Sequence, residues 1–586
     1  MKQFILGLSL ILSVSGFASS CTKVLPWVKL DRETKSDLGQ SRLKLVWISL
    51  DGLQPEALET WVSKIKNPHP KGLNWLLKSA RGRERFKVMN PTITAPSHIS
   101  TITCAGAGVH SIMDNNMWTG QGNTSGFNRA YTPENWVYRL RRQGYKVGSA
   151  LYPSIDGASD QRSADVGIFY DNPGSQPQIL AVAKGSTVGA TIPDRDVPGK
   201  SYPIEITASA ESRVSIKTPW GSLATLELAK PADITFNMKI SSFDRKAGVS
   251  FLLLTQEPEI TVEVSPIEIM PTMGNDFRAD IDRENLIFSG LRDYRFQANI
   301  KAYLAALEHR RRGVVKADQM LLSRSDLDAV FLYFEDLDAL LHAYYRDDVV
   351  EADVAQYVAD FDQDIGSLLS MVSASTDLVV LGDHGMSAIA YVINARKVLT
   401  EEVASKGTVM AGGGALYFYP PQGEISKDPP AGLSLNNIAE NLRGMELDLT
   451  GKKLFGKVIV RGSPEADEEG LSGKQVPWIM AFANDGVGFK NSVEDKFLLA
   501  RAKWASVAET LRSKYPDPVN NGSLVTPVPA GQHGHWNDLS QMRTKLILEG
   551  PRVSNIPSNS LEKSLQLVPA VADALGFPRP ASCANQ

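Results

Sequence analysis

Leu43-Lys-Leu-Val-Trp-Ile-Ser-Leu-Asp51-Gly52 is the stretch on which the fold turns. Its apolar residues do not alternate with polar ones, as they would on a half-exposed strand. The run is almost unbroken and ends at an acid and a glycine, the pattern of a strand buried on both faces of a parallel sheet. Three later runs match it: Ala329–Phe334 (AVFLYF), Leu378–Leu381 (LVVL) and Lys545–Leu548 (KLIL). Helical periodicity fills the intervals, for example over Glu134–Gln143, Arg295–Arg312 and Val350–Val372. This alternation predicts an α/β fold, a mainly parallel central sheet flanked by helices. Residues 185–285 differ. Arg213-Val-Ser-Ile-Lys, Ile234-Thr-Phe-Asn-Met-Lys-Ile and Ile260-Thr-Val-Glu-Val have strand-like alternation without a convincing helix. They predict a β-rich insertion dividing the core into 21–184 and 286–586.

The 586 residues are enough for a large buried core with insertions. With 62 Lys+Arg against 65 Asp+Glu and 43% hydrophobic residues, the balance argues against disorder and against a polybasic nucleic-acid binder. Three cysteines are too few for a disulfide scaffold, and neither Cys104 nor Cys583 has a CxxC neighbour; whether these two pair is left open. Residues 1–20 read as a signal peptide, with Lys2 ahead of the apolar run Phe4–Val14 and small residues Ala18-Ser19-Ser20 before Cys21. The expectation is an exported chain on the periplasmic or surface side, tethered to a bacterial membrane by a lipid on Cys21, or secreted if that cysteine stays free.

The chemistry lies after the strands. Asp51-Gly52 follows the first run, Glu335-Asp336-Leu337-Asp338 and then His342 follow the second, and Gly382-Asp383-His384-Gly385 follows the third. Open α/β sheets bind ligands at the carboxyl ends of their strands, where neighbouring loops converge. Gly531-Gln532-His533-Gly534 precedes the KLIL run and completes a set of three aspartates and three histidines. Imidazole and carboxylate without thiolate suit catalytic zinc, whereas magnesium or calcium would take oxygen alone. Singly, each element has a plainer reading: Asp51 as a turn former or N-cap, the Gly-Asp-His-Gly segment as a loop, Glu335 and Asp336 as solvated or capping acids. Asp338 and His342 are spaced to share one helical face. The conjunction is what points to metal.

Asn90-Pro-Thr-Ile-Thr94-Ala-Pro96-Ser-His98 contains a candidate nucleophile. Pro96 suits the first turn of a helix, so Thr94 falls near a helix N-terminus, as an N-cap or as a hydroxyl that a nearby metal would activate.

The order Asp51, Thr94-Ala-Pro-Ser-His98, His110-Ser-Ile-Met-Asp-Asn115, Glu335-Asp-Leu-Asp338-Ala-Leu-Leu-His342, Gly382-Asp-His-Gly-Met386 and Gly531-Gln-His533-Gly-His-Trp-Asn537 resembles the alkaline phosphatase superfamily, and within it the nucleotide pyrophosphatase/phosphodiesterase branch. The likeness runs from Leu43 to the segment beginning at Leu567, outside the insertion. It implies an alkaline phosphatase-like core and two Zn2+, one held by Asp51, Thr94, Asp383 and His384 and the other by Asp338, His342 and His533. It also implies Thr94 as nucleophile and Asn115 as a donor to a phosphate oxygen. The substrate implied is a small phosphate ester, a nucleotide among the candidates, cleaved at a phosphodiester or pyrophosphate bond. A phosphomonoesterase, a phosphonate hydrolase or an inactive core serving as a binding module are the alternatives. Ala95 stands where the branch has an aromatic, Ser97 where it has Asn, Leu337 for Pro and Leu341 for Gly.

Overall fold

The run that opens the reading forms the strand β1 (Leu45–Leu50), buried along its whole length. Seven more strands build the central sheet around it: β2 (Gly82–Phe86), β3 (Val147–Ala150), β4 (Val166–Ile168), β5 (Thr272–Met273), β6 (Ala329–Phe334), β7 (Asp377–Leu381) and β8 (Thr544–Glu549). Their order is β5-β4-β3-β6-β1-β7-β8-β2. The five strands β4, β3, β6, β1 and β7 are parallel. The computed structural model describes residues 43–585 apart from 79–81, 171–176, 195–198, 241–242, 257–259, 288–290, 292–299, 346–351, 390, 422–427, 447–451, 492–529 and 558–559. The expected signal segment and Cys21 lie outside the described residues.

The sheet is mostly parallel, as expected, with one consequential exception. The KLIL run is buried in β8 but lies antiparallel to β7, with Leu381 opposite Leu546. Burial on both faces produces a continuous apolar run whichever way a strand points, so the sequence pattern is silent on direction. The reversal matters because the amino end of β8 meets the carboxyl ends of the parallel strands. A loop preceding β8 therefore arrives at the ligand edge; before a parallel strand it would arrive at the opposite one.

Helices cover the sheet in two groups. Helix α1 (Thr94–Thr103) packs with Trp136–Arg142 and Leu567–Leu575, while α2 (Ile300–Leu322) packs with α4 (Ala352–Met371), and α3 (Asp336–Tyr344) follows β6 directly. Helix α2 continues ten residues beyond the expected Arg312 because Val314, Ala317 and Leu321 prolong its buried face. At the core, Trp47 of β1 meets Trp136 edge-on at 5.7 Å and Phe331 of β6 at 6.0 Å.

The β-rich insertion is two four-stranded antiparallel sheets, Ser186–Leu226 and Ala232–Val264 with Gln178–Val182 as its last strand. Ile204, Ile206 and Val214 of one share a core with Val249, Phe251 and Val262 of the other. Its strands begin at Gln178, ahead of the expected boundary at 185, since the first strand pairs with the last. A helix, Asn275–Arg283, stands where no helix was expected before 285; Phe277 and Ile281, one turn apart, suffice to bury its inner face. A further four-stranded antiparallel sheet, within 408–483, was not anticipated. Cys104, the left-handed C-cap of α1, is disulfide-bonded to Cys583. No helix among the described residues is long and apolar enough to cross a membrane.

Candidate active site

The acids at the strand ends converge. Asp51 continues β1, and its backbone N–H still donates to Phe334 O of β6 at 2.9 Å. Gly52 then turns with φ +70°, and a Cβ there would lie 3.0 Å from Asp338 Cα, so glycine is what lets α3 approach β1. Its N–H donates to Asp383 Oδ1 at 3.2 Å, tying the ends of β1 and β7 together. Asp51, Asp383 and His384 can offer ligand atoms within 4.8 Å of one another, and so can Asp338, His384 and His533. His384 belongs to both groups, so the two are adjacent. His342 stands beside the second, its Nε2 3.4 Å from Asp338 Oδ1, one helical turn away as the spacing requires.

The histidine tautomers fit ligation. His384 Nδ1 faces Gly385 O at 3.0 Å and His342 Nδ1 faces Gly531 O at 2.8 Å. A carbonyl only accepts, so both Nδ1 atoms carry a proton and both Nε2 atoms face inward, where their lone pairs reach a cation once Nε2 is bare. His384 Nε2 lies 3.0 Å from Asp51 Oδ1 and 3.3 Å from Asp383 Oδ2. Burial, reinforced by the Asp383 carboxylate, pushes Asp51 up to about 6. Burial also raises Asp383. For His384 burial works downward, but Asp383 and Asp51 outweigh it and hold the imidazole at about 10. Crowded carboxylates with inward-facing imidazoles are the surroundings a divalent cation would stabilise. The loop before β8 delivers His533 to this edge, its ring stacked on His384 at 4.0 Å.

Thr94 is the first residue of α1, buried, and its hydroxyl caps nothing; Oγ1 lies 3.2 Å from His384 Nε2. Asn115 accepts from Ala95 N at 2.8 Å, which turns its Nδ2 toward Thr94 Oγ1 at 3.4 Å. The helix end offers little else to an anion: Pro96 has no N–H and Ser97 N donates to Ile93 O.

Other residues fall outside the centre. Glu335 and Asp336 are not a solvated pair. Asp336 is buried between Tyr357 and Arg311, with Nη1 3.1 Å away, and Glu335 pairs with Arg310 at 2.6 Å. His535 is buried with Nε2 on Val487 O, and His110 accepts from Ile112 N, so both serve packing. Two contacts to the centre had no sequence signal. Tyr333 donates to Asp51 Oδ2 at 2.5 Å from within an apolar run, and His98 lies 3.5 Å from Asp383 Oδ2.

A profile of the type I phosphodiesterase / nucleotide pyrophosphatase family matches residues 45–534. Among solved structures, murine ectonucleotide pyrophosphatase/phosphodiesterase 5 is similar at 14% identity over 92% of this chain and 96% of that one, with a TM-score of 0.45. Phosphonoacetate hydrolase from Sinorhizobium meliloti 1021, in complex with phosphonoformate, is similar at 13% identity over the same shares, with a TM-score of 0.46. No curated protein sequence matches the chain.

Proposed function

The chain belongs to the type I phosphodiesterase/nucleotide pyrophosphatase family, and on that premise we propose that it is an exported, zinc-dependent hydrolase of phosphodiester or pyrophosphate bonds that works through a covalent intermediate on Thr94. The donor set, imidazole and carboxylate without thiolate, favours zinc. In this reading Asp51, Thr94, Asp383 and His384 hold one ion and Asp338, His342 and His533 the other. When bound, the ions supply Lewis acidity toward hydroxyl groups and offset charge on phosphoryl oxygens.

The chain's own residues do the rest. Thr94 gives up its hydroxyl proton to solvent as its Oγ attacks phosphorus, and the ester oxygen leaves with the bonding pair and takes a proton from solvent. Asn115 Nδ2 donates to a non-bridging oxygen as negative charge builds there. Water then attacks the same phosphorus and releases a proton to solvent, while Thr94 Oγ leaves with the bonding pair and takes a proton back. Each displacement inverts configuration, so the product retains it. The observation that carries this reading is the approach of Thr94 Oγ1 to His384 Nε2 at 3.2 Å and to Asn115 Nδ2 at 3.4 Å.

Hydrolysis of a phosphorothioate diester of known configuration tests it: retention is expected, and inversion would assign the attack to water. Thr94→Ala should lower kcat by on the order of 10⁴-fold without unfolding the protein, and Thr94→Ser should restore part of it. Ala95, buried beside the nucleophile, gives a nucleobase no surface to stack on. That favours a second reading, a phosphomonoesterase or phosphonate hydrolase, separated from the first by comparing kcat/KM for aryl phosphate mono- and diesters and a phosphonate. Export is supported by the buried Cys104–Cys583 disulfide, a bond that persists in oxidising compartments.

A further inference from the structure

We infer that His98 is a positioning residue whose imidazole, fixed as the Nδ1–H tautomer, holds the backbone of Thr94 and the carboxylate of Asp383 in register. The inference rests on the role of Thr94 proposed above. His98 Nδ1 lies 2.8 Å from Thr94 O, and its Nε2 lies 2.8 Å from Ser49 Oγ. The carbonyl cannot donate, so Nδ1 carries the proton; Nε2 of the neutral ring then accepts from the Ser49 hydroxyl. Asp383 Oδ2 lies 3.5 Å from the same Nδ1, within range of that proton's field. Tyr152 and Tyr333 meet the ring edge-on at 5.2 and 5.4 Å and leave it little freedom to turn. One donor thus faces both the residue that attacks and a carboxylate of the candidate metal site. Ser49 is on β1, two residues before Asp51, so the ring also spans from the sheet to α1. Such outer contacts to ligand residues typically matter about 10–100-fold in activity or metal affinity.

Three variants separate positioning from packing. Asn can set its amide nitrogen near the place of Nδ1, Gln can reach only toward the place of Nε2, and Phe fills the volume without donating. His98→Asn is expected to keep kcat within about 3-fold of wild type, while His98→Gln and His98→Phe lose about 10–100-fold in kcat with KM little changed. Zinc affinity, measured by chelator competition and independent of turnover, should fall about 10-fold in His98→Phe. A direct readout uses the unaltered metal-free protein. Imidazole nitrogen NMR should find His98 protonated at Nδ1 and bare at Nε2, whatever the variants do. A bare Nδ1, full kcat in His98→Phe, or equal losses in the Asn and Phe variants would each overturn the inference. A wild-type protein that hydrolyses no phosphate ester would instead sink the functional reading, while the tautomer and zinc-affinity results would still stand.

Discussion

His384 carries the sharpest pH prediction. In the metal-free protein burial opposes its charge, yet the Asp383 and Asp51 carboxylates raise it to about 10, while Asp51 sits at about 6. A raised histidine pKa means that the charged contacts are fully present below the ordinary value near 6.5 and disappear as pH climbs through about 10. Zinc needs the bare Nε2, so binding at pH 8 must expel about one proton from His384, and affinity should rise roughly tenfold per pH unit toward pH 10. Below about pH 6, Asp51 must give up a proton as well, and the dependence should steepen. Calorimetry in two buffers of different ionisation enthalpy counts the protons; a count near zero at pH 8 would contradict the charge state. The acids and histidines of this centre were legible because all but His533, which lies ahead of one, follow a conspicuous apolar run. His98 and Tyr333 were not, because their contacts join segments far apart in the chain and leave no local spacing to read.

At the scale of elements, Gly52 links β1 to α3. Gly52→Ala would force a side chain into a left-handed turn, costing about 1–2 kcal/mol, and would press its Cβ to 3.0 Å from Asp338 Cα. The expected outcome is a lower denaturation midpoint together with weaker zinc binding, since Asp338 would be pushed from its neighbours; unchanged affinity would show that α3 tolerates the shift. Strands β1, β6 and β7 were readable to within two residues, because burial on both faces is written directly into their composition. The direction of β8 was not, although it decides where His533 arrives. The sheet within 408–483 escaped for another reason: Ala415–Tyr419 and Ile479–Ala483 are wholly buried, and apolar runs this short read equally as strand or as part of a buried helix.

Across the whole molecule, two cysteine substitutions test the expected setting. Cys21→Ser should release the protein from the membrane fraction if a lipid on Cys21 is its anchor, and unchanged partitioning would remove the anchor. Cys583→Ser should cost about 2–5 kcal/mol in chemical denaturation, with the midpoint of the wild-type protein falling to match when a thiol reductant is present. Equal midpoints for the oxidised wild type and the variant would mean that the bond adds nothing to stability.

The same disulfide has a topological consequence. Joining Cys104 to Cys583 closes 479 residue steps into a covalent ring, with Asp51 and Thr94 on the chain that leads into it. The antiparallel sheets within 178–264 and 408–483 lie on that ring. A single protease cut anywhere along it opens the circle but releases nothing, so a nicked chain should run at full length on a denaturing gel and separate into two fragments only when thiol is added.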